Sequence, residues 1–126
     1  MLYVLKTDPI DIEPGGRATV TVQAFFGGAE IAPGDECFLW LSESAGGKGL
    51  TAECTVEAVS RSGRERQVTF KALRLVHSEL GTTHLRKYRE GAERPEGLIA
   101  RKLYRHAHNK VAAITQPEAD WLRMHF

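Results

Sequence analysis

The alternation of apolar and polar residues divides the first two-thirds of the chain into short β-strands. Segment 18–25 alternates with a period of two, which places Val20 and Val22 on one face of a strand. Segment 37–41 is almost continuously apolar, which is typical of a strand buried on both faces. Four other runs predict further strands, at 2–6, 50–59, 67–76 and 111–114. Turn-forming clusters of glycine and proline lie between several of these strands.

The last third of the chain changes to helical spacing. Thr82 and Thr83 predict the cap of a short helix, and apolar residues recur at helical intervals within 98–107. Thr115 followed three positions later by Glu118 forms a capping box. It predicts a terminal helix whose apolar face comprises Ala119, Trp121, Leu122 and Phe126. The pattern predicts one α+β domain over 1–126: an antiparallel barrel or sandwich of five to six strands, with short peripheral helices and a C-terminal helix.

Size and composition exclude several classes of protein. With 126 residues, 42% apolar and 26% charged, the chain can build one globular domain with its own core. No apolar run approaches the ~20 residues of a membrane span, and the first run stops at Lys6 without the basic start of a signal peptide. Cys37 and Cys54 are too few for a disulfide framework, so we expect reduced core thiols. These features predict a soluble cytoplasmic domain without a membrane partner.

The net charge of +1 is distributed unevenly along the chain. Residues 1–83 carry 8 Lys/Arg against 11 Asp/Glu, whereas residues 84–126 carry 9 against 5 and four of the five histidines. Segment 98–112 contains four Lys/Arg and no acid. This basic segment is either a solvated helix face or a surface for a phosphate-bearing partner.

No motif in the sequence predicts a metal site, a cofactor or a catalytic residue. His106 and His108 are two positions apart, a spacing that points their side chains away from each other, and no Cys-x-x-Cys is present. Ser42 lacks the Gly-x-Ser-x-Gly surroundings of a nucleophile elbow. The glycine-rich segment 46–49 lacks P-loop spacing. It is either a flexible hairpin or a loop whose bare backbone admits a ligand.

Two other features leave structural and functional readings open. Trp40 either packs in the core or stands at a pocket mouth, because its strand runs directly into polar residues and the glycine-rich loop. An indole in the second position can stack on a base, which is worth roughly 1–3 kcal/mol. Segment 105–110 is either an exposed turn into the last strand or the rim of a phosphate-binding site.

Three segments, in order, resemble PUA-like domains of the EVE branch and their ASCH and YTH relatives. Segment 3–9 (YVLKTDP) resembles the first EVE strand, which ends in Lys-Ser/Thr-acid-Pro. Segment 33–40 (PGDECFLW) resembles the Gly-Asp-led apolar strand of EVE and ASCH domains. Segment 47–59 resembles their next strand, which starts from glycine. The resemblance implies a PUA-like pseudobarrel with a pocket for a nucleobase, often a modified base flipped out of DNA or RNA.

The resemblance also implies which residues form the site. It places Lys6 and Thr7 at the pocket floor or rim, Trp40 in its wall, and Ser42 at the base edge. The remaining base-binding candidates are Glu43, Gly47, Lys48 and Gly49. The candidates for phosphate contact in the basic segment are Arg101, Arg105, His106, His108, Asn109 and Lys110.

Three functional hypotheses follow. The first is a nucleic-acid-binding module that recognises a modified base in DNA or RNA. The second is a small hydrolase of modified nucleosides, as in some ASCH-type proteins, in which Lys6 or Lys48 acts with Thr7 and Glu43. The third is an interaction domain that serves as the reader for a separate effector protein.

Overall fold

A computed structural model describes residues 2–22, 24–26, 31–42, 46–63, 65–76 and 110–126. These residues form seven β-strands and one α-helix: β1 (Leu2–Thr7), β2 (Arg17–Val22), β3 (Ala24–Phe26), β4 (Glu36–Leu41), β5 (Gly49–Ser62), β6 (Glu65–Leu75), β7 (Lys110–Ile114) and α1 (Gln116–Arg123). The helices predicted at 82–88 and within 98–107 lie outside the described residues. In the described part, no helix is long and apolar enough to cross a bilayer.

The seven strands form one sheet in the order β2-β6-β5-β4-β1-β7-β3. Its edge strands, β2 and β3, are separated by a single residue along the chain. The sheet therefore curls until its two edges approach each other, as expected for a pseudobarrel. Two pairings differ from the antiparallel prediction, because β1 runs parallel to β4 and β3 runs parallel to β7. The hydrophobic pattern predicts which residues are buried, but it does not specify the direction of the neighbouring strand.

The interior of the curled sheet is filled by every second residue of its strands. In β2 and β6, Val20 lies opposite Val68, and both belong to the main hydrophobic cluster. This confirms the period-two prediction for Val20 and Val22. The segment predicted as one strand is divided between β2 and β3, which pair with different neighbours. Two strands that are neighbours in sequence thus form the two edges of the sheet.

Strands β1 and β4 are buried on both faces. Leu5 and Leu39 face the interior cluster, whereas Val4, Phe38 and Trp40 belong to a second cluster on the outer face. That outer cluster also includes four residues of β5, β7 and α1: Leu50, Ile114, Ala119 and Leu122. The continuous apolar run 37–41 is explained by this double burial, as the sequence predicted.

Helix α1 covers the outer face and is fixed at both ends. The predicted capping box is present, because the Thr115 hydroxyl accepts from the Glu118 N–H while the Glu118 carboxylate accepts from the Thr115 N–H at 3.0 Å. Near the other end, the Arg123 guanidinium pairs with Glu36 at 2.7 Å and with Glu53 at 2.9 Å. The hydrogen bond to Glu53 raises the pKa of Arg123. These contacts connect α1 to β4 and β5.

The two cysteines face each other across β4 and β5 in the barrel interior. Cys37 and Cys54 are register partners, both are free thiols, and both are buried. The hydrogen bond with Cys54 and the loss of solvation on burial raise the pKa of Cys37 well above its usual value. A protonated, buried thiol is unreactive packing material, which confirms the expectation of core thiols.

Candidate functional site

The carboxyl ends of β1 and β4 meet at one edge of the sheet, because these two neighbouring strands are parallel. Thr7 is the register partner of Leu41, and the Ser42 N–H donates to the Thr7 carbonyl at 2.7 Å. Both Thr7 and Ser42 are buried, with exposed fractions of 4% and 1%. The two motifs that the sequence singled out separately, at 6–7 and 40–42, therefore lie side by side.

The glycine-rich loop closes tightly on the same edge. The Gly47 N–H donates to the Ser42 carbonyl at 2.7 Å, and Gly49 begins β5 as the partner of Leu41. A Cβ added to Gly47 would lie 2.6 Å from the Leu41 carbonyl carbon. Position 47 must therefore be glycine because the backbone of Leu41 occupies the space that a side chain would need. Lys48, in contrast, is exposed on this loop.

Replacing Gly47 by alanine is expected to destabilise the protein by about 1–3 kcal/mol, because the new methyl group must displace backbone atoms of Leu41. The matched control is Lys48→Ala, which alters an exposed neighbour and should change stability by no more than ~0.5 kcal/mol. Urea unfolding of both variants measures the difference. Equal stability of Gly47→Ala and the parent protein would contradict the tight closure of the loop.

Three candidate residues lie in neighbouring register positions at this edge. Lys6 is the partner of Trp40 in β4 and of Lys110 in β7. Lys110 is the last basic residue of segment 98–112, so this segment enters the sheet beside Lys6. The structure therefore brings Lys6, Trp40 and the Lys110 backbone together across three adjacent strands.

Alternation along the strands divides the candidates between two faces. Leu5 and Leu41 belong to the interior cluster, so Lys6 and Trp40 lie on the outer face. Thr7 follows the interior alternation of β1 and lies on the opposite side. Ser42 comes two positions after Trp40, directly beyond the end of β4. Lys6, Trp40 and the adjoining Ser42 are named the outer-face set.

Trp40 is more deeply buried than an open pocket wall. Its exposed fraction is 0%, and it packs with Val4, Phe38 and Leu50 in the outer cluster. Of the two readings of Trp40, the structure supports packing in the core, because β4 is covered on both faces. Its Nε1–H nevertheless has no hydrogen-bond partner among the described residues. An indole N–H left unpaired in the interior costs about 1–3 kcal/mol. The Trp40 Nε1–H can therefore donate a hydrogen bond to an acceptor that reaches it.

Several candidate residues lie outside the described part of the chain. These are Glu43 in the loop and Arg101, Arg105, His106, His108 and Asn109 in the basic segment. Their contribution to the site stays a prediction. Among the residues that the structure describes, no group of three or more His, Cys, Asp or Glu side chains is arranged to hold a metal ion.

A second group of basic residues, not among the candidates predicted from the sequence, lies at the β5–β6 turn. Arg61 and Arg66 are register partners there. They lie in the part of the chain with a negative charge balance, which conceals a local excess of arginine. The spacing of Arg61, Arg64 and Arg66 around Ser62-Gly63, a turn-forming pair between two predicted strands, was the available signal.

Comparison with solved structures shows which fold this is. The chain superimposes on the DUF55 domain of human thymocyte nuclear protein 1 with a TM-score of 0.67 and 12% identity, covering 99% of this chain and 98% of that chain. It superimposes on human THYN1 in complex with 5-methylcytosine-containing DNA with a TM-score of 0.66 and 14% identity, covering 98% and 96%. The chain has a PUA-like fold.

A third solved structure extends the comparison to bacteria. Rpa0253 from Rhodopseudomonas palustris matches with a TM-score of 0.61 and 14% identity, covering 98% of this chain and 92% of that chain. No protein-family model and no curated protein matches the sequence. These structures confirm the PUA-like fold that segments 3–9, 33–40 and 47–59 predicted.

Proposed function

We propose that this PUA-like domain binds nucleic acid and accepts a modified base at the edge formed by the ends of β1 and β4. The observation that carries the proposal is the register that brings Lys6, Trp40 and Ser42 to this edge from two separate sequence motifs. A solved structure of the same fold, that of human THYN1, contains 5-methylcytosine DNA.

The proposed base contacts follow from the chemistry of the outer-face set. The Trp40 Nε1–H is a buried donor without a described partner, and a base oxygen or nitrogen can accept from it. The Ser42 hydroxyl can donate or accept at the base edge, and Lys6 adds a positive charge and hydrogen-bond donors at the pocket rim. Because the indole has no exposed surface, base entry requires the cover over Trp40 to move.

The proposed phosphate contacts come from polar and basic residues of segment 98–112, the last of which is Lys110. The register of β7 against β1 supports this part of the proposal, since Lys110 enters the sheet beside Lys6. The candidates are Arg101, Arg105, His106, His108, Asn109 and Lys110. As a reader without catalysis of its own, the domain would supply recognition to a separate effector protein.

In the hydrolase hypothesis, Lys6 or Lys48 acts with Thr7 and Glu43, of which Glu43 lies outside the described residues. Lys6 precedes Thr7 on an extended strand, so the two side chains point to opposite faces of the sheet. Lys48 is exposed on the loop, whereas Thr7 is buried. This geometry favours binding over catalysis.

A direct test compares DNA duplexes and single strands with and without 5-methylcytosine by fluorescence anisotropy at low salt. We expect binding, with a preference for a modified strand. The variant Lys6→Gln should weaken binding, because it removes a positive charge at the site. The control Lys71→Gln removes the same charge from a half-buried β6 position away from this edge and should bind as the parent does. Absence of binding to all of these strands would contradict the proposal.

A further inference from the structure

The end of the β5–β6 hairpin carries an unusual pair of like charges. The last two register pairs of its ladder are Arg61 with Arg66 and Ser62 with Glu65. Gly63 forms the turn with a φ of 60°, a left-handed conformation that suits a two-residue hairpin loop. Strand β5 is 14 residues long and begins at the candidate base site, so its other end is a separate surface.

The two arginines oppose each other directly across the ladder. Cβ atoms of such partners lie roughly 4.5–5.5 Å apart, and like charges at this separation repel. Arg61 is exposed and makes no ion pair with any residue of the described part. The guanidinium of Arg66 is held at the turn, because Nη1 donates to the Glu65 carbonyl at 3.0 Å and to the Gly63 carbonyl at 3.3 Å.

Arginines elsewhere on this sheet and on α1 are neutralised by acids. Arg17 pairs with Glu57, and Arg74 pairs with Glu53. Arg123 pairs with Glu36 and Glu53. Segment 61–66 contains three arginines and one glutamate. The segment by itself therefore carries a net positive charge.

We propose that Arg61 and Arg66 form a second phosphate-binding site, which holds the backbone of the nucleic acid away from the base pocket. The identity of the ligand as nucleic acid rests on the proposed function. Guanidinium groups match phosphate oxygens in geometry and form charge-assisted hydrogen bonds with them. A phosphate between the two side chains replaces their mutual repulsion with two attractions. The ladder register brings the two groups close enough to act on one phosphate.

The test measures duplex affinity at several salt concentrations for the parent protein, Arg61→Gln, and the double variant Arg61→Gln/Arg66→Gln. Each lost phosphate contact should reduce the slope of log affinity against log salt by about 0.9. The double variant should therefore lose about 1.8. The control Arg17→Gln removes one equal charge from a paired arginine and should retain the parental slope. The preference for modified over unmodified DNA should stay the same in all variants.

The outcomes separate this site from the base site. Parental slopes in Arg61→Gln and in the double variant, with the preference for modified DNA intact, overturn the second site and leave the proposed function standing. If the parent protein binds no DNA, the proposed function is wrong, and the second site is overturned with it because its ligand is nucleic acid. Thermal unfolding is the second measurement: Arg61→Gln should unfold at or above the parental temperature, because repulsion is removed. A marked decrease would show a structural role and overturn the proposal.

Discussion

Replacing Trp40 by alanine is expected to lower the free energy of unfolding by about 3–5 kcal/mol. The indole is completely buried in the outer cluster, where it packs between the sheet and the residues that α1 contributes. Removing it leaves a cavity among the residues that β4, β5 and α1 contribute to the cluster. Loss of this magnitude is a large fraction of the stability of a small domain.

Urea unfolding of Trp40→Ala measures this effect, and Trp121→Ala is its matched control. Trp121 is the other tryptophan of the chain; it lies on α1, packs at the margin of the same cluster and is only half-buried. We expect its replacement to cost clearly less. Equal losses for the two variants would contradict the burial of Trp40 in the outer cluster.

Affinity for duplex DNA is expected to fall roughly 500-fold between 50 and 200 mM salt. The estimate assumes five phosphate contacts, made by Arg61, Arg66, Arg101, Arg105 and Lys110. Each contact releases condensed counterions, so the slope of log affinity against log salt should be about −4.5.

The same anisotropy titration at four or more salt concentrations measures the slope. A neutral recognition surface would show an affinity nearly independent of salt, and that result would contradict phosphate binding by both basic groups. A slope near −2.7 would match the basic segment alone. A slope near −1.8 would match the hairpin arginines alone, so the measurement also divides the contacts between the two surfaces.

Much of the fold was predictable, because burial alternates with the strand period. The alternation around Val20 and Val22 predicts a strand with one buried face, and the continuous apolar run at 37–41 predicts a strand with two buried faces. The capping box at Thr115 located the start of α1 to the residue. The parallel pairings of β1 and β3 were not predictable, since a strand's own sequence carries no information on the direction of its neighbour.

The candidate site was predictable in part. The resemblance selected Lys6, Thr7, Trp40 and Ser42, and the parallel pairing of β1 with β4 brings all four to one edge. The depth of Trp40 was left open, because the same tryptophan in the same strand suits a core or a pocket wall. The residues of α1 and β5 that pack around Trp40 determine how deeply its indole is buried.

The role of Gly47 illustrates a limit of motif reasoning. In sequence, the glycine-rich loop resembles either a flexible hairpin or a surface that admits a ligand. The structure shows that Leu41 approaches Gly47 so closely that any side chain would collide with it. A close approach within the chain leaves the same sequence signal as a close approach by a ligand.

The central claim is that a modified base reaches the outer-face set at the ends of β1 and β4. Proton–nitrogen NMR tests it most directly, by following the indole Nε1–H resonance of Trp40 during titration with a 5-methylcytosine oligonucleotide. The variant Trp121→Phe assigns this resonance, because the chain contains two tryptophans. The account predicts a downfield shift at the Trp40 indole as the donor gains an acceptor, accompanied by changes at the Ser42 and Gly47 amides. Binding that leaves all three resonances unchanged would contradict it.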